Sequence, residues 1–131
     1  MPDVGAEVVV VTGASSGIGA EVAGIIAARG ARVVLIGRRA DALAEVAASL
    51  RPHERGAHLS LTCDVTVADD VEQAIARAED QVGTPTALVN CAGISRPALL
   101  VDISLEDWRE TIDVNLTGSF LTTRALSLIH I

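Results

Sequence analysis

The 131-residue chain contains no tyrosine and no lysine, and its ten cationic residues are all arginine. One Trp and one Phe bring the aromatic content to only 2%. The stacking platforms on which single-stranded nucleic acids rest are therefore missing. With a net charge of −7 and its arginines scattered, the chain offers no basic stripe to a phosphodiester backbone, so no nucleic-acid partner is expected. Cys63 and Cys91 are the only cysteines, and neither has metal-ligand spacing to the other or to His53, His58 or His130. The expectation is reduced thiols, a cytoplasmic setting and no metal. No apolar run reaches the length of a membrane span. Asp3 and Glu7 stand where a signal peptide would carry positive charge.

What is present is half hydrophobic (50%), enough to bury the core of one globular domain. The chain is organised around Val8 to Ile26. A β-branched run, Val8 to Val11, stops at a loop of small residues, and apolar residues at helical spacing (Ile18, Val22, Ile25, Ile26) follow at once. Gly13, Gly17 and Gly19 remove Cβ where the backbone turns sharply, and the loop empties into the positive end of a helix dipole. Such a place suits a pyrophosphate. The spacing is G-x-x-x-G-x-G, which by itself also fits a turn that holds no ligand.

The unit then repeats in kind. Arg29-Gly30 ends the first helix. Strand two is read as Ala31 to Ile36, and a second helix runs from Ala40 to about Leu50 with Leu43, Val46, Ala47 and Leu50 on one face. Arg51-Pro52 breaks it. Strand three is read as His58 to Cys63, followed by a third helix from about Val67 to Val82 and a fourth strand from Thr86 to Asn90. Strands alternating with helices, without hairpin signals, imply right-handed crossovers and a parallel sheet of order 3-2-1-4. In that order Cys63 and Cys91 lie about 14 Å apart, too far for a disulfide. From Cys91 to Ile103 the chain is a loop. Ser104 is the expected N-cap of a fourth helix through Trp108, Ile112, Leu116 and Phe120.

In such a sheet a ligand sits beyond the carboxyl ends of the strands, where the order reverses. The unusual residues of this chain gather there: Thr12 to Gly19 after strand one, Gly37-Arg38-Arg39 after strand two, Asp64-Val65 after strand three and Asn90 to Gly93 after strand four. Singly, each has a plain structural reading as solvated charge, turn cap or Asx turn. Four such sets at four consecutive strand ends describe one site.

These residues also make the sequence resemble the short-chain dehydrogenase/reductase family. The family's T-G-x-x-x-G-[IL]-G stands at Thr12 to Gly19, its D-V at Asp64-Val65, its N-[NC]-A-G at Asn90 to Gly93, and its active-site asparagine, in N-x-x-G, at Asn115 to Gly118. The resemblance implies a Rossmann-type doubly wound α/β sheet. It implies that Thr12, Gly13, Ser15, Ser16, Gly17, Ile18 and Gly19 wrap the cofactor phosphates and that Asp64 and Val65 flank adenine. Asn90, Ala92 and Gly93 would line the adenosine ribose side, and Asn115 would help to hold the catalytic Lys through water. An acidic residue after strand two would favour NAD; here Gly37 is followed by Arg38 and Arg39, so NADP is favoured over NAD. The chemistry implied is hydride transfer to or from a small carbonyl or alcohol substrate, in a homo-oligomer, dimer or tetramer.

The chain departs from the family in lacking the Tyr-x-x-x-Lys pair and its Ser, which follow the fourth helix in the family pattern. The expectation is an incomplete Rossmann domain over residues 1–125, with one face of the fourth helix uncovered and no activity of its own. Its last six residues, Leu126 to Ile131, are what CTGTCTCTTATACACATC, a transposase adapter end, encodes, and are read as a non-native tail. A non-catalytic dinucleotide-binding or sensing module is the alternative reading.

Overall fold

The computed structural model describes residues 4–131. Four parallel strands form one sheet: β1 (Val8–Thr12), β2 (Arg32–Gly37), β3 (Leu59–Thr62) and β4 (Ala87–Asn90), in the order β3-β2-β1-β4. The register pairs Val10 with both Val34 and Leu88, which brings the four carboxyl ends level along one rim. Helices α1 (Gly17–Ala28), α2 (Ala40–Ser49) and α3 (Ala68–Val82) make the crossovers. The near-continuous Val/Ile/Leu runs of β1 and β2 follow from burial on both faces. Val9, Val11, Val33 and Leu35 pack under α1 and α2, while Val10, Val34, Ile36 and Leu61 pack under α3 and the last helix.

The expected strand order holds, and small shifts at strand ends have visible causes. β3 begins at Leu59 because the His58 ring, through Nδ1, accepts the Val33 N–H at 3.0 Å in place of a backbone carbonyl. Gly37 belongs to β2, because its carbonyl accepts the Cys63 N–H at 2.9 Å. Cys63 and Cys91 are free thiols.

Two helix faces differ from expectation. The stripe that α1 buries is Gly19, Ala23 and Ala27, while Ile18 and Ile25 are exposed. Small residues let this helix lie close against β1 and β2, and the larger side chains are displaced to its flanks. The fourth helix is interrupted: α4 (Leu105–Ile112) runs through a π-helical turn (Asp113–Thr117) into α5 (Gly118–His130). Ser104 caps α4 as expected, its hydroxyl accepting the Asp107 N–H at 3.0 Å. The inward stripe of α5 is Gly118, Thr122 and Ala125, and Trp108, Leu116 and Phe120 form an exposed apolar face. A Cβ on Gly118 would fall 2.7 Å from Val65 Cγ2, so the glycine of N-x-x-G sets how near α5 comes to the end of β3. Residues 126–130 continue α5, with Ile129 packed on the core and the His130 ring bonded to the Pro85 carbonyl at 2.7 Å. The loop after β4 contains a short 3-10 turn, Leu100–Asp102. No helix among the described residues is long and apolar enough to cross a membrane.

Candidate dinucleotide site

A cavity of about 370 Å³ opens at the carboxyl ends of all four strands. The β1 loop supplies Gly13, Ser15, Ser16, Ile18 and Gly19; β2 ends in Gly37, Arg38 and Arg39; β3 leads into Cys63, Asp64 and Val65; β4 leads into Cys91, Ala92, Gly93 and Ile94; Val114 closes the wall from the π turn.

Backbone approach explains the glycines. Gly13 has φ 62°, and a Cβ there would fall 2.6 Å from the Ala92 nitrogen. A Cβ on Gly19 would collide with the Gly13 carbonyl oxygen. The six-residue interval between them is thus the interval at which the loop closes on itself. Ser16, the N-cap of α1, makes no side-chain cap bond, so among the described residues the first-turn N–H groups of α1 have no side-chain acceptor. An uncapped helix N-terminus lined by glycine is what an anion requires.

Charge is distributed asymmetrically around this cradle. Arg38 and Arg39 are exposed at the end of β2, and Arg39 Nη2 donates to Ser15 Oγ at 3.4 Å. Asp64 accepts from the Thr66 hydroxyl at 2.7 Å and the Thr66 N–H at 2.9 Å. Those two bonds, aided by the charge of Arg38, hold its carboxyl below the usual range. Burial, with the charges of Asp70 and Asp64, pushes the neighbouring Cys63 thiol up to about 11, so it stays protonated at neutral pH.

Eleven of the residues singled out in the sequence line this one cavity: Gly13, Ser15, Ser16, Ile18, Gly19, Arg38, Arg39, Asp64, Val65, Ala92 and Gly93. Four do not. Thr12 is buried beneath it, its hydroxyl accepting the Cys91 N–H at 3.2 Å and the Ala92 N–H at 3.1 Å. Gly17 is exposed at the turn. Asn90 faces α5 instead: Oδ1 accepts from the Thr122 hydroxyl at 2.7 Å, and Nδ2 donates to Thr123 Oγ1 at 3.4 Å. Asn115 spends both side-chain atoms on Ile94, Oδ1 accepting its N–H at 2.8 Å and Nδ2 donating to its carbonyl at 2.9 Å. Its position mid-helix, unfavourable by propensity, is repaid by this hold on the β4 loop.

Sequence reasoning missed Cys63, Ile94 and Val114 as lining residues and gave Cys91 no role of its own, although Cys91 stands inside the Asn90 to Gly93 motif, Cys63 and Ile94 adjoin recognised motifs and Val114 adjoins Asn115. It also missed a second cavity of about 390 Å³ that shares Arg38, Asp64 and Val114 with the first and extends to Glu106, Arg109, Glu110 and Asp113.

A 3-2-1-4 parallel sheet with a glycine-built, uncapped helix start at its switch point defines the class of dinucleotide-binding α/β proteins. Within that class the chain belongs to the short chain dehydrogenase family, whose model matches residues 7–129. It is 40% identical over 120 residues to D-threitol dehydrogenase of Mycolicibacterium smegmatis, covering 92% of this chain and 46% of that protein. A crystal structure of a short chain dehydrogenase from Bacillus anthracis superposes with a TM-score of 0.91 at 30% identity, over 98% of this chain and 51% of that one. An actinorhodin polyketide ketoreductase variant solved with NADPH gives a TM-score of 0.83 at 34% identity, over 92% and 46% of the two chains. The chain thus spans about half the length of the relatives it matches.

Proposed function

We propose that this chain is the dinucleotide-holding part of an oxidoreductase that moves hydride between NADP(H) and a small carbonyl or alcohol substrate. The observation that carries the reading is the cradle itself. Gly13 and Gly19 leave no room for a Cβ, the α1 start is uncapped, and Arg38 and Arg39 flank the same cavity.

The residues fit a dinucleotide. The first turn of α1 with Ser15 and Ser16 would hold the pyrophosphate through N–H and hydroxyl donors. Asp64 and Val65 on one side and Val114 on the other would flank the adenine. Arg38 and Arg39 would take a 2′-phosphate, since a guanidinium presents a fork of donors to phosphate oxygens and no acceptor to a free 2′-hydroxyl pair. When bound, the cofactor supplies the hydride. Thr12, Asn90 and Asn115 act behind the wall as positioning residues, holding the β4 loop and α5. These 131 residues contain no Tyr and no Lys, and the role proposed for them is to hold the cofactor rather than to move the proton. The exposed Trp108, Leu116 and Phe120 face is where a homo-oligomer would form.

Titration with NADP and NAD tests the proposal by binding rather than turnover. NADP should bind more tightly, and Arg38→Asp should weaken it by about ten- to a hundredfold while strengthening NAD, the value of one or two charge-assisted hydrogen bonds. Equal affinities for both cofactors before and after the substitution refute the NADP assignment, and no binding of either refutes the whole.

A further inference from the structure

Residues 91–99, of which the first four form the β4 side of the cavity, contain no helix or strand. Their backbone is held instead by side chains from elsewhere. Thr12 takes the N–H groups of Cys91 and Ala92, and Asn115 takes both main-chain groups of Ile94. Two residues on, Arg96 reaches back to α4. Its Nε and Nη2 donate to Glu110 Oε2 at 2.9 and 2.5 Å, and its Nε lies 3.4 Å from Asp107 Oδ1. Asp107 and Glu110 lie three apart and so share one face of that helix.

We infer that Arg96 is a positioning residue for the dinucleotide site: clamped to Glu110 and Asp107, it fixes the loop whose residues Ala92, Gly93 and Ile94 form the cavity wall. The inference rests on the function proposed above and adds a residue that touches no part of the cavity. The reasoning is mechanical. Thr12 and Asn115 hold the segment from Cys91 to Ile94, and an anchor two residues later holds the chain where it leaves that wall. The Asn115 and Arg96 anchors both lead to the α4–π–α5 segment, so the far end of the wall is tied to that segment as its near end is tied to β1. Glu110 also lines the second cavity beside Arg38 and Asp64, so the clamp ties the β4 side of the site to the side where the adenosine end would lie. Arginine is the residue suited to this, because its rigid fork gives two donors to one carboxylate while its charge attracts the second.

Two measurements on the whole chain test this. The first needs no ligand: amide hydrogen exchange at Ile94 should be about fivefold faster in Arg96→Ala than in the wild type, the upper range for loss of an exposed ion pair. Unchanged exchange at Ile94 overturns the inference whatever the cofactor does. The second is NADP affinity, read by isothermal titration calorimetry. Arg96→Ala should weaken binding by about three- to fivefold and Glu110→Ala by no more than that, and the double variant should be no weaker than Arg96→Ala, which already removes the contact to Glu110. High salt should shrink the difference. Additive losses, or wild-type affinity in Arg96→Ala, overturn the inference. Failure of the wild type to bind either dinucleotide instead refutes the proposed function, with the exchange result still deciding whether Arg96 positions the loop. Thermal unfolding of each variant, run alongside, separates these effects from a general loss of fold.

Discussion

Thr12 sits at the end of the central strand, 1% exposed, with one oxygen serving two backbone donors 79 and 80 residues away. Thr12→Val keeps the shape and removes the acceptor. Cys91 and Ala92 then carry N–H groups at half-buried positions with nothing replacing the bond, at about 1–3 kcal/mol for each unsatisfied donor. Partial access of water places each near the lower end of that range, and the extra buried methyl returns about 0.8 kcal/mol. The net loss is roughly 1–2 kcal/mol. In a domain of this size that lowers the midpoint of thermal unfolding by roughly 4–8 °C. Urea unfolding gives the free energy directly, with an unchanged m value showing that the transition is of the same kind. Thr12→Ser, which keeps the oxygen, should recover most of the difference, and Thr62→Val, at an exposed site on β3, should cost little. If Thr12→Val loses less than about 0.5 kcal/mol, or Thr12→Ser loses as much as the valine, then the hydroxyl does not hold the β4 loop and the account of the cavity floor is wrong.

Asp64 gives a pH signature. Its carboxyl is held below its ordinary value in the folded chain by Thr66, so the stability it contributes is present above about pH 4 and is lost as pH falls through the lower folded value. Unfolding free energies measured from pH 6 downward should fall less steeply below pH 4 in Thr66→Val than in the wild type; parallel curves would contradict the assignment. The thiols give a second test. With Cys63 buried and its pKa near 11, iodoacetamide at pH 7.5 should modify Cys91 first, and NADP should slow that reaction because Cys91 lines the cavity. Equal labelling of both cysteines in the folded chain would refute the burial argument, and labelling indifferent to NADP would refute the location of the site.

The parts of the site legible in the sequence are those whose cause is local. Gly19 is constrained by the Gly13 carbonyl six residues earlier, Arg38 and Arg39 follow their own strand, and Asp64 bonds to Thr66 two residues on, so each could be read from a short window. The buried stripe of α1 was not legible, because hydropathy ranks Ile18 and Ile25 above Gly19, Ala23 and Ala27 while closeness to the sheet favours the reverse. Thr12, Asn90 and Asn115 stood out as residue types, but their tasks lie with partners 79, 32 and 21 residues distant, which no local pattern contains. These distant bonds share a design. The β4 loop has no ladder or helix of its own, and a buried or half-buried backbone without secondary structure must find its partners among side chains. Thr12 and Asn115, each on an element that is itself rigid, provide them, and Arg96, within the loop, adds a side-chain tie to α4. The wall of the cavity opposite Gly13 therefore takes its shape from β1 and from the α4–α5 helix rather than from the loop's own sequence. It follows that the generic residues from Ser95 to Leu100 can vary without moving Ala92 or Gly93, provided that Thr12, Asn115 and the Arg96 clamp are kept.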